Sequence, residues 1–393
     1  MDPVQKKQRL TSLDTYRGLV LALLCLEATR WDWVHVAAHA YPESRFWAFM
    51  EHHFSHVAWV GCSLWDLVQP SFMFVVGVAM AYSYAKRQRE GDSYTKMLGH
   101  ASRRALVLII LGVFLRSSDA AQTYWTFEDV ITQIGLGYVA LFLLWGRGFK
   151  AQLGAAGGIL LAYWLLFALT PIGDPAGWKW EDETPHLFSG FLAHWNINAN
   201  PAHYFDLGFL NLFPREEAFT FHPEGYNTLN FIPSLAVMIF GLCAGELLRS
   251  ERVPKQKLLI LLSCGAAGIL AGWLLHIFGL CPLVKKTWTP AFSLFSGGWC
   301  LVILGGLYWL IDMRGIKRWT FPLVVMGMNS IALYVMIWLI PGWIDATLQT
   351  HLDSGYAGFF GPAFEPLMQN LIVGLILWSI CWWMYRRGIF LRI

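Results

Sequence analysis

Charge is what this 393-residue chain has least of. Only 14% of its residues are Asp, Glu, Lys or Arg, against roughly a quarter in an average soluble domain. That shortage excludes an ordinary water-soluble fold. Short segments of alternating apolar and polar residues are also absent, which excludes a membrane β-barrel. No two cysteines stand in CxxC spacing. Cys25, Cys62, Cys243, Cys264, Cys281, Cys300 and Cys381 are scattered, mostly inside apolar runs. They read as small buried hydrophobes, not as a disulfide framework or a zinc site. There is no Gly-rich phosphate loop, no HExxH and no GxSxG. No metal is expected, and nothing supports nucleic-acid binding. No Asn-x-Ser/Thr acceptor occurs, and no repeat or low-complexity tract. Met1 to Leu10 is polar and basic without an apolar core, so it does not read as a cleaved signal peptide.

What fills the chain instead is apolar sequence, 56% of it hydrophobic, with 21 Trp. Ten runs read as spans, and several reach the length of about 20 residues that a helix needs to cross roughly 30 Å of hydrocarbon, the third being short. They cover residues 15–29, 64–85, 104–115, 130–145, 153–170, 229–248, 258–280, 291–311, 321–340 and 367–385. The expected fold is all-α, a polytopic transmembrane helix bundle of about ten spans forming a single domain over residues 1–393. With the N-terminus in the cytoplasm, 21 of the 29 Lys and Arg fall in inside segments, 7 outside, and Arg17 within the first span. This bias obeys the positive-inside rule and puts both termini in the cytoplasm. Two long outside loops, 30–63 and 171–228, are expected to be ordered and to cap a site. The first holds His35, His39, His52, His53 and His56.

The chemistry concentrates where that first loop meets a span. His56 precedes the apolar run that carries Asp66 and continues past Gln69-Pro70. Ionisable groups at membrane depth are costly and mark function by default, and imidazole is the side chain best suited to proton transfer near neutral pH. The plainer reading is a capping Asp and an interfacial His. Asp14 and Arg17 stand three apart on one helix face, with Glu27 about 15 Å further along the axis. They read as a ligand site or as a dipole partner and a snorkelling cation. Arg103 and Arg104 open a span from inside, as a phosphate clamp or as positive-inside charge. Lys285 and Lys286 lie outside, against the charge bias, and call for an anionic ligand or a carboxylate such as Asp66 or Glu27. Asn329 and Ser330 either line a site or join helices. His194-Trp195-Asn196, Asn198 and Asp206 could meet a sugar by stacking and hydrogen bonding, though Trp is also common at membrane interfaces.

Four segments, in order along the chain, resemble the heparan-alpha-glucosaminide N-acetyltransferase family of transmembrane acyltransferases. They are Ser12-Leu13-Asp14-Thr15-Tyr16-Arg17-Gly18, His56 through Asp66-Leu67-Val68-Gln69-Pro70, His222-Pro223-Glu224-Gly225 leading to Gly241-Leu242-Cys243-Ala244-Gly245, and Lys285-Lys286-Thr287-Trp288 through Asp312 to Gly327-Met328-Asn329-Ser330-Ile331. The resemblance implies acetyl transfer from cytoplasmic acetyl-CoA to an amino sugar on the far side, with the essential His at His56. One departure is that the family's Asn near the outer end of the first span is replaced by Ala28, beside Glu27.

On this reading His56 acts as general base or acetyl acceptor, supported by Asp66 and Glu27. Asp14, Arg17, Arg104, Lys285 and Asn329 bind acetyl-CoA, while Trp59, Trp195, Asn196 and Glu224 bind the acceptor. The rivals are an O-acyltransferase acting on an exported or cell-wall glycan, a small-molecule transporter, and a pH sensor using the outer His. Short loops and the missing glycosylation sites suit a bacterial inner membrane. Membrane lipids are the expected surroundings, and helix-mediated homodimerisation fits a chain with no soluble domain.

Overall fold

The computed structural model describes residues 10–29, 32–173 and 187–391. Six basic residues of the charge count (Lys6, Lys7, Arg9, Arg30, Lys179 and Arg392) lie outside these, as does the stretch 174–186 of the second long loop. The described chain is helical, and its only β pairing is a single bridge between Val60 and Val284. Three helices open it: α1 (Thr11–Cys25), α2 (Trp33–Ala40) and α3 (Arg45–Phe54). Then come α4 (Val68–Arg89), α5 (Tyr94–Arg116), α6 (Val130–Leu144), α7 (Phe149–Leu169) and the short α8 (Pro201–Phe209). The series continues with α9 (Phe231–Arg249), α10 (Pro254–Ile277) and α11 (Pro290–Leu307). It ends with α12 (Phe321–Met328), α13 (Ser330–Leu339), α14 (Pro341–Leu352) and α15 (Glu365–Arg386).

Each of the ten apolar runs coincides with a helix or, for residues 321–340, with the pair α12 and α13. Among the described residues seven helices are long and apolar enough to cross a membrane: α4, α5, α7, α9, α10, α11 and α15, some with an adjoining turn. The bent pair makes eight if it counts as one span. The remaining two runs fold as α1 and α6, of 15 residues each. At 1.5 Å per residue such helices reach about 22 Å, short of the hydrocarbon thickness. Helix length therefore accounts for seven or eight of the ten expected spans. The pair α12 and α13 bends by 71° at Asn329, whose backbone leaves helical geometry at φ −115° and ψ 35°.

The chain divides into two compact units. The first draws on Met1–Glu51, Pro254–Leu258 and Ile303–Arg392; the second on His52–Val253 and Leu259–Val302. In the second unit α4 and α9 meet backbone to backbone. A Cβ on Gly77 would lie 1.9 Å from the Met238 carbonyl oxygen, and one on Gly241 would lie 1.9 Å from that of Phe74. The contact is reciprocal, so any side chain at either position would drive the helices apart. Small residues are what allow such approach between membrane helices.

Candidate active site

Asp66 lies in a 3₁₀ turn, Trp65–Leu67, that leads directly into α4. Ser63 starts that turn through a reciprocal cap. The Asp66 N–H donates to Ser63 Oγ at 3.3 Å, and the Ser63 N–H donates to Asp66 Oδ2 at 2.9 Å. This is a capping box with Asp in the acidic position. The Ser63 hydroxyl also donates to the Ser55 carbonyl at 2.7 Å, which fixes the residue just before His56. With Oδ2 occupied, the carboxylate turns Oδ1 to His56 Nδ1 at 2.8 Å. Asp66 thus takes part both in the turn that leads into α4 and in the contact with His56. Its side chain is 1% exposed while that of His56 is 37% exposed. A buried carboxylate holds a partly exposed imidazole.

Lys285 completes the group. Its segment is drawn to His56 by backbone pairing: Val60 bridges Val284, and the Gly61 N–H donates to the Leu283 carbonyl at 2.8 Å. Thr289 braces the turn, its Oγ1 donating to the Pro282 carbonyl at 2.7 Å and accepting from the Val284 N–H at 3.1 Å. Trp288 adopts φ +46°, an unusual conformation for a large side chain. Lys285 Nζ then lies 2.9 Å from His56 Nδ1, 3.3 Å from Nε2 and 3.4 Å from Asp66 Oδ1. The sequence suggested coenzyme A as its partner, but its ammonium is buried against His56 and Asp66. Burial, then the neighbouring Lys285 charge, hold His56 below its ordinary 6.5 despite Asp66, which pulls the other way. Burial likewise pulls Lys285 down, against the Asp66 charge. If Nδ1–H is donated to Asp66, the ring's lone pair is on Nε2.

Around this group the acceptor-side residues divide. Glu224 is 55% exposed and lies 3.6 Å from Lys286 Nζ. Tyr226, which the sequence reading did not single out, faces both lysines, with its ring centroid 5.8 Å from Lys285 Nζ and 5.9 Å from Lys286 Nζ. Trp59 is buried against Ile197 and Val284, and its indole N–H has no hydrogen-bond partner among the described residues. Gly225 makes room for this packing. At φ +78° it takes a conformation that suits glycine, and a Cβ there would fall 2.7 Å from Ile197 and 2.8 Å from Trp59.

Trp195 and Asn196 need correction as sugar-binding residues. Trp195 is fully buried, stacked on Phe167 and packed with Tyr163, Cys281 and Ala291. It has no face left for a sugar. Asn196 is spent on the loop itself, accepting from the Phe188 N–H at 2.7 Å and donating to the Phe188 carbonyl at 3.1 Å. Asn198 donates to the His222 carbonyl at 2.9 Å. Asp206 accepts from the Thr228 N–H at 2.9 Å, at the entry to α9, and burial pushes its carboxyl up to about 6.

The expected donor-side residues lie in both units. In the second, the Arg104 guanidinium sits 5.0 Å from the Tyr138 ring centroid, with its buried Nε unpartnered among the described residues. In the first, Arg17 is 3.6 Å from Asp14 and Asn329 sits at the α12–α13 break; Glu27, expected as a catalytic support, also belongs to this unit, in the turn after α1. Both polar atoms of the Asn329 side chain are buried without a partner among the described residues.

No protein-family model matches the chain. Two curated proteins do. The human heparan-alpha-glucosaminide N-acetyltransferase is 24% identical over 428 residues, covering 98% of this chain. The mouse protein of the same name is 22% identical over 425 residues, again covering 98%. The chain spans about 60% of the length of these relatives. Similarity that runs through nearly the whole chain, at this level of identity, makes it a distant relative of the heparan-alpha-glucosaminide N-acetyltransferases.

Proposed function

We propose that this chain is a membrane-embedded acetyltransferase that moves an acetyl group from acetyl-CoA to the amine of a glucosamine-type sugar, with His56 at its centre. The observation that carries the proposal is the His56 imidazole, held at Nδ1 by buried Asp66, flanked by Lys285 and partly exposed. In the direct route, the neutral amine attacks the thioester carbonyl, the N–C bond forms and the C–S bond breaks. His56 takes the amine proton and returns it to the departing thiolate. In the two-step route, the imidazole attacks the thioester, the C–S bond breaks and coenzyme A leaves as the thiolate; the amine then attacks the acetyl-imidazole, its C–N bond breaks, and the amine proton passes to the freed ring. The Lys285 ammonium is suited in either case to the negative charge that develops on the carbonyl oxygen. Exposed Glu224 offers a carboxylate to the sugar's ammonium before it loses its proton, and Arg104 a guanidinium to the donor's phosphates. The charge bias of the loops supports a donor in the cytoplasm and an acceptor on the far side, and a bacterial inner membrane as the setting.

Detergent-purified protein given acetyl-CoA should release free thiol, faster with glucosamine, and His56→Ala should abolish the release while staying folded. Near-normal turnover in the variant would remove His56 from its role. Tight acetyl-CoA binding with no response to glucosamine would point to a hydroxyl acceptor on a glycan. Folded protein that neither binds nor turns over acetyl-CoA would favour a transporter.

A further inference from the structure

Among the described residues, one group of His, Cys, Asp and Glu side chains converges closely enough to hold a metal ion, and it is not the His56 site. We propose that His35, His39 and Glu51 form an open three-ligand site for a divalent transition metal of the zinc class. Each offers one ligand atom, and the three atoms lie within 4.8 Å of one another. His35 and His39 are four apart on α2, so their rings share one face of the helix. That face is exposed, while Trp33, Val34, Ala37 and Ala38 bury the other. The two rings sit 4.0 Å apart between centroids, tilted by 44°. Glu51 reaches across from α3, its Oε1 2.8 Å from His35 Nδ1.

The frame under these three side chains is built. Asp32 caps α2, accepting from the His35 N–H at 3.1 Å. Tyr41 and Trp47, at the turn between α2 and α3, both pack on Phe364, with ring centroids 5.9 and 5.8 Å away. A zinc ion bonds its nitrogen and oxygen ligands at about 2.0–2.2 Å, so tetrahedral donors stand about 3.3 Å apart. The His35–Glu51 pair is already near that spacing, and closing the third corner takes only rotation of an exposed side chain. Two imidazoles with one carboxylate favour zinc, nickel or copper over magnesium or calcium. An ion pair would use only His35 and Glu51; a metal uses His39 as well. Both imidazoles bind as neutral ligands, so a proton on a ligating nitrogen leaves to solvent or moves to the other ring nitrogen. With three protein ligands the remaining position takes water or an external anion, and the ion ties α2 to α3.

The test is calorimetric titration of the full chain, purified in detergent and stripped with EDTA, using zinc chloride. Cobalt(II) absorption provides a second reading of the coordination number. Saturable binding of one equivalent is expected. His39→Ala and Glu51→Gln should each weaken it by about 100-fold, since even outer-shell partners of a metal are worth 10- to 100-fold. His351→Ala, an exposed histidine of α14, should leave it unchanged. His39 is itself exposed, so its loss does not endanger the fold. No saturable binding, or binding that His39→Ala leaves intact, overturns the site.

Discussion

Two histidine–carboxylate pairs stand in the second unit, and what separates them is the exposure of the ring and the charge of its second neighbour. At His222 both ring nitrogens are spent. Nδ1 accepts from the Glu224 and Tyr226 N–H groups at 3.1 and 3.4 Å, and Nε2 lies 3.2 Å from Glu128 Oε2. The side chain is 18% exposed. This histidine is a turn brace, and its turn carries Glu224 and Gly225. At His56 the carboxylate takes Nδ1, the ring is twice as exposed, and the other neighbour is a cation that discourages protonation. A carboxylate within hydrogen-bond reach is common to a structural histidine and a reactive one. What distinguishes them is the surroundings of the second nitrogen.

Substitutions at four positions break or sharpen that contrast. The largest effect belongs to His56→Ala, which should lower kcat by on the order of 1,000-fold, the scale of a lost general base. Steady-state thiol release, with circular dichroism as the folding control, measures it. Asp66→Asn should cost less, on the order of 100-fold within the general-base range. An amide can donate to Nδ1 and so reverse the tautomer. Restoration of activity by Asp66→Glu would show that charge and position both count. Lys285→Met should move a pH profile and not simply lower it. On the proposed mechanism neutral His56 is the active form, and burial and Lys285 hold its proton affinity below the ordinary 6.5. Without that cation the Asp66 attraction is less opposed, so the acid limb of kcat/KM moves to higher pH. A limb that stays in place, or moves to lower pH, would break the assignment. The smallest effect on catalysis is expected from His222→Ala. It should lower thermal stability by about 2 kcal/mol, the scale of lost buried hydrogen bonds, and leave kcat in place.

The sequence exposed the His56–Asp66 pair because the functional spacing and the local structure coincide. Ten residues separate them, and the cap that starts α4 supplies the carboxylate. Lys285 stood out because it lies on the side that the charge bias leaves poor in cations. Its partner was visible only as one carboxylate among candidates, since 219 positions separate it from Asp66 and a single backbone bridge joins the segments. Trp195 shows the converse difficulty. A Trp beside Asn reads alike whether its ring meets a sugar or a core, and burial, which decides between them, depends on Tyr163 and Phe167 of α7. Glu128 escaped for the same reason, being joined to His222 only through the fold. The helices themselves were legible from hydropathy, but hydropathy did not mark where α1 stops or where Asn329 breaks a run. Those are backbone events within uniformly apolar sequence.

The reciprocal glycine contact between α4 and α9 has a consequence for time. Amides in the most tightly packed helices exchange with water only when large parts of a protein open, whereas loops open often. Asp66 sits at the head of α4, so it is moored to a closely packed helix pair that should open slowly, while the chain before it, which carries His56, should open more often. Each time that chain lifts and settles, it returns to a carboxylate that has not moved. The hydrogen bond then re-forms by the motion of one partner instead of a search by two.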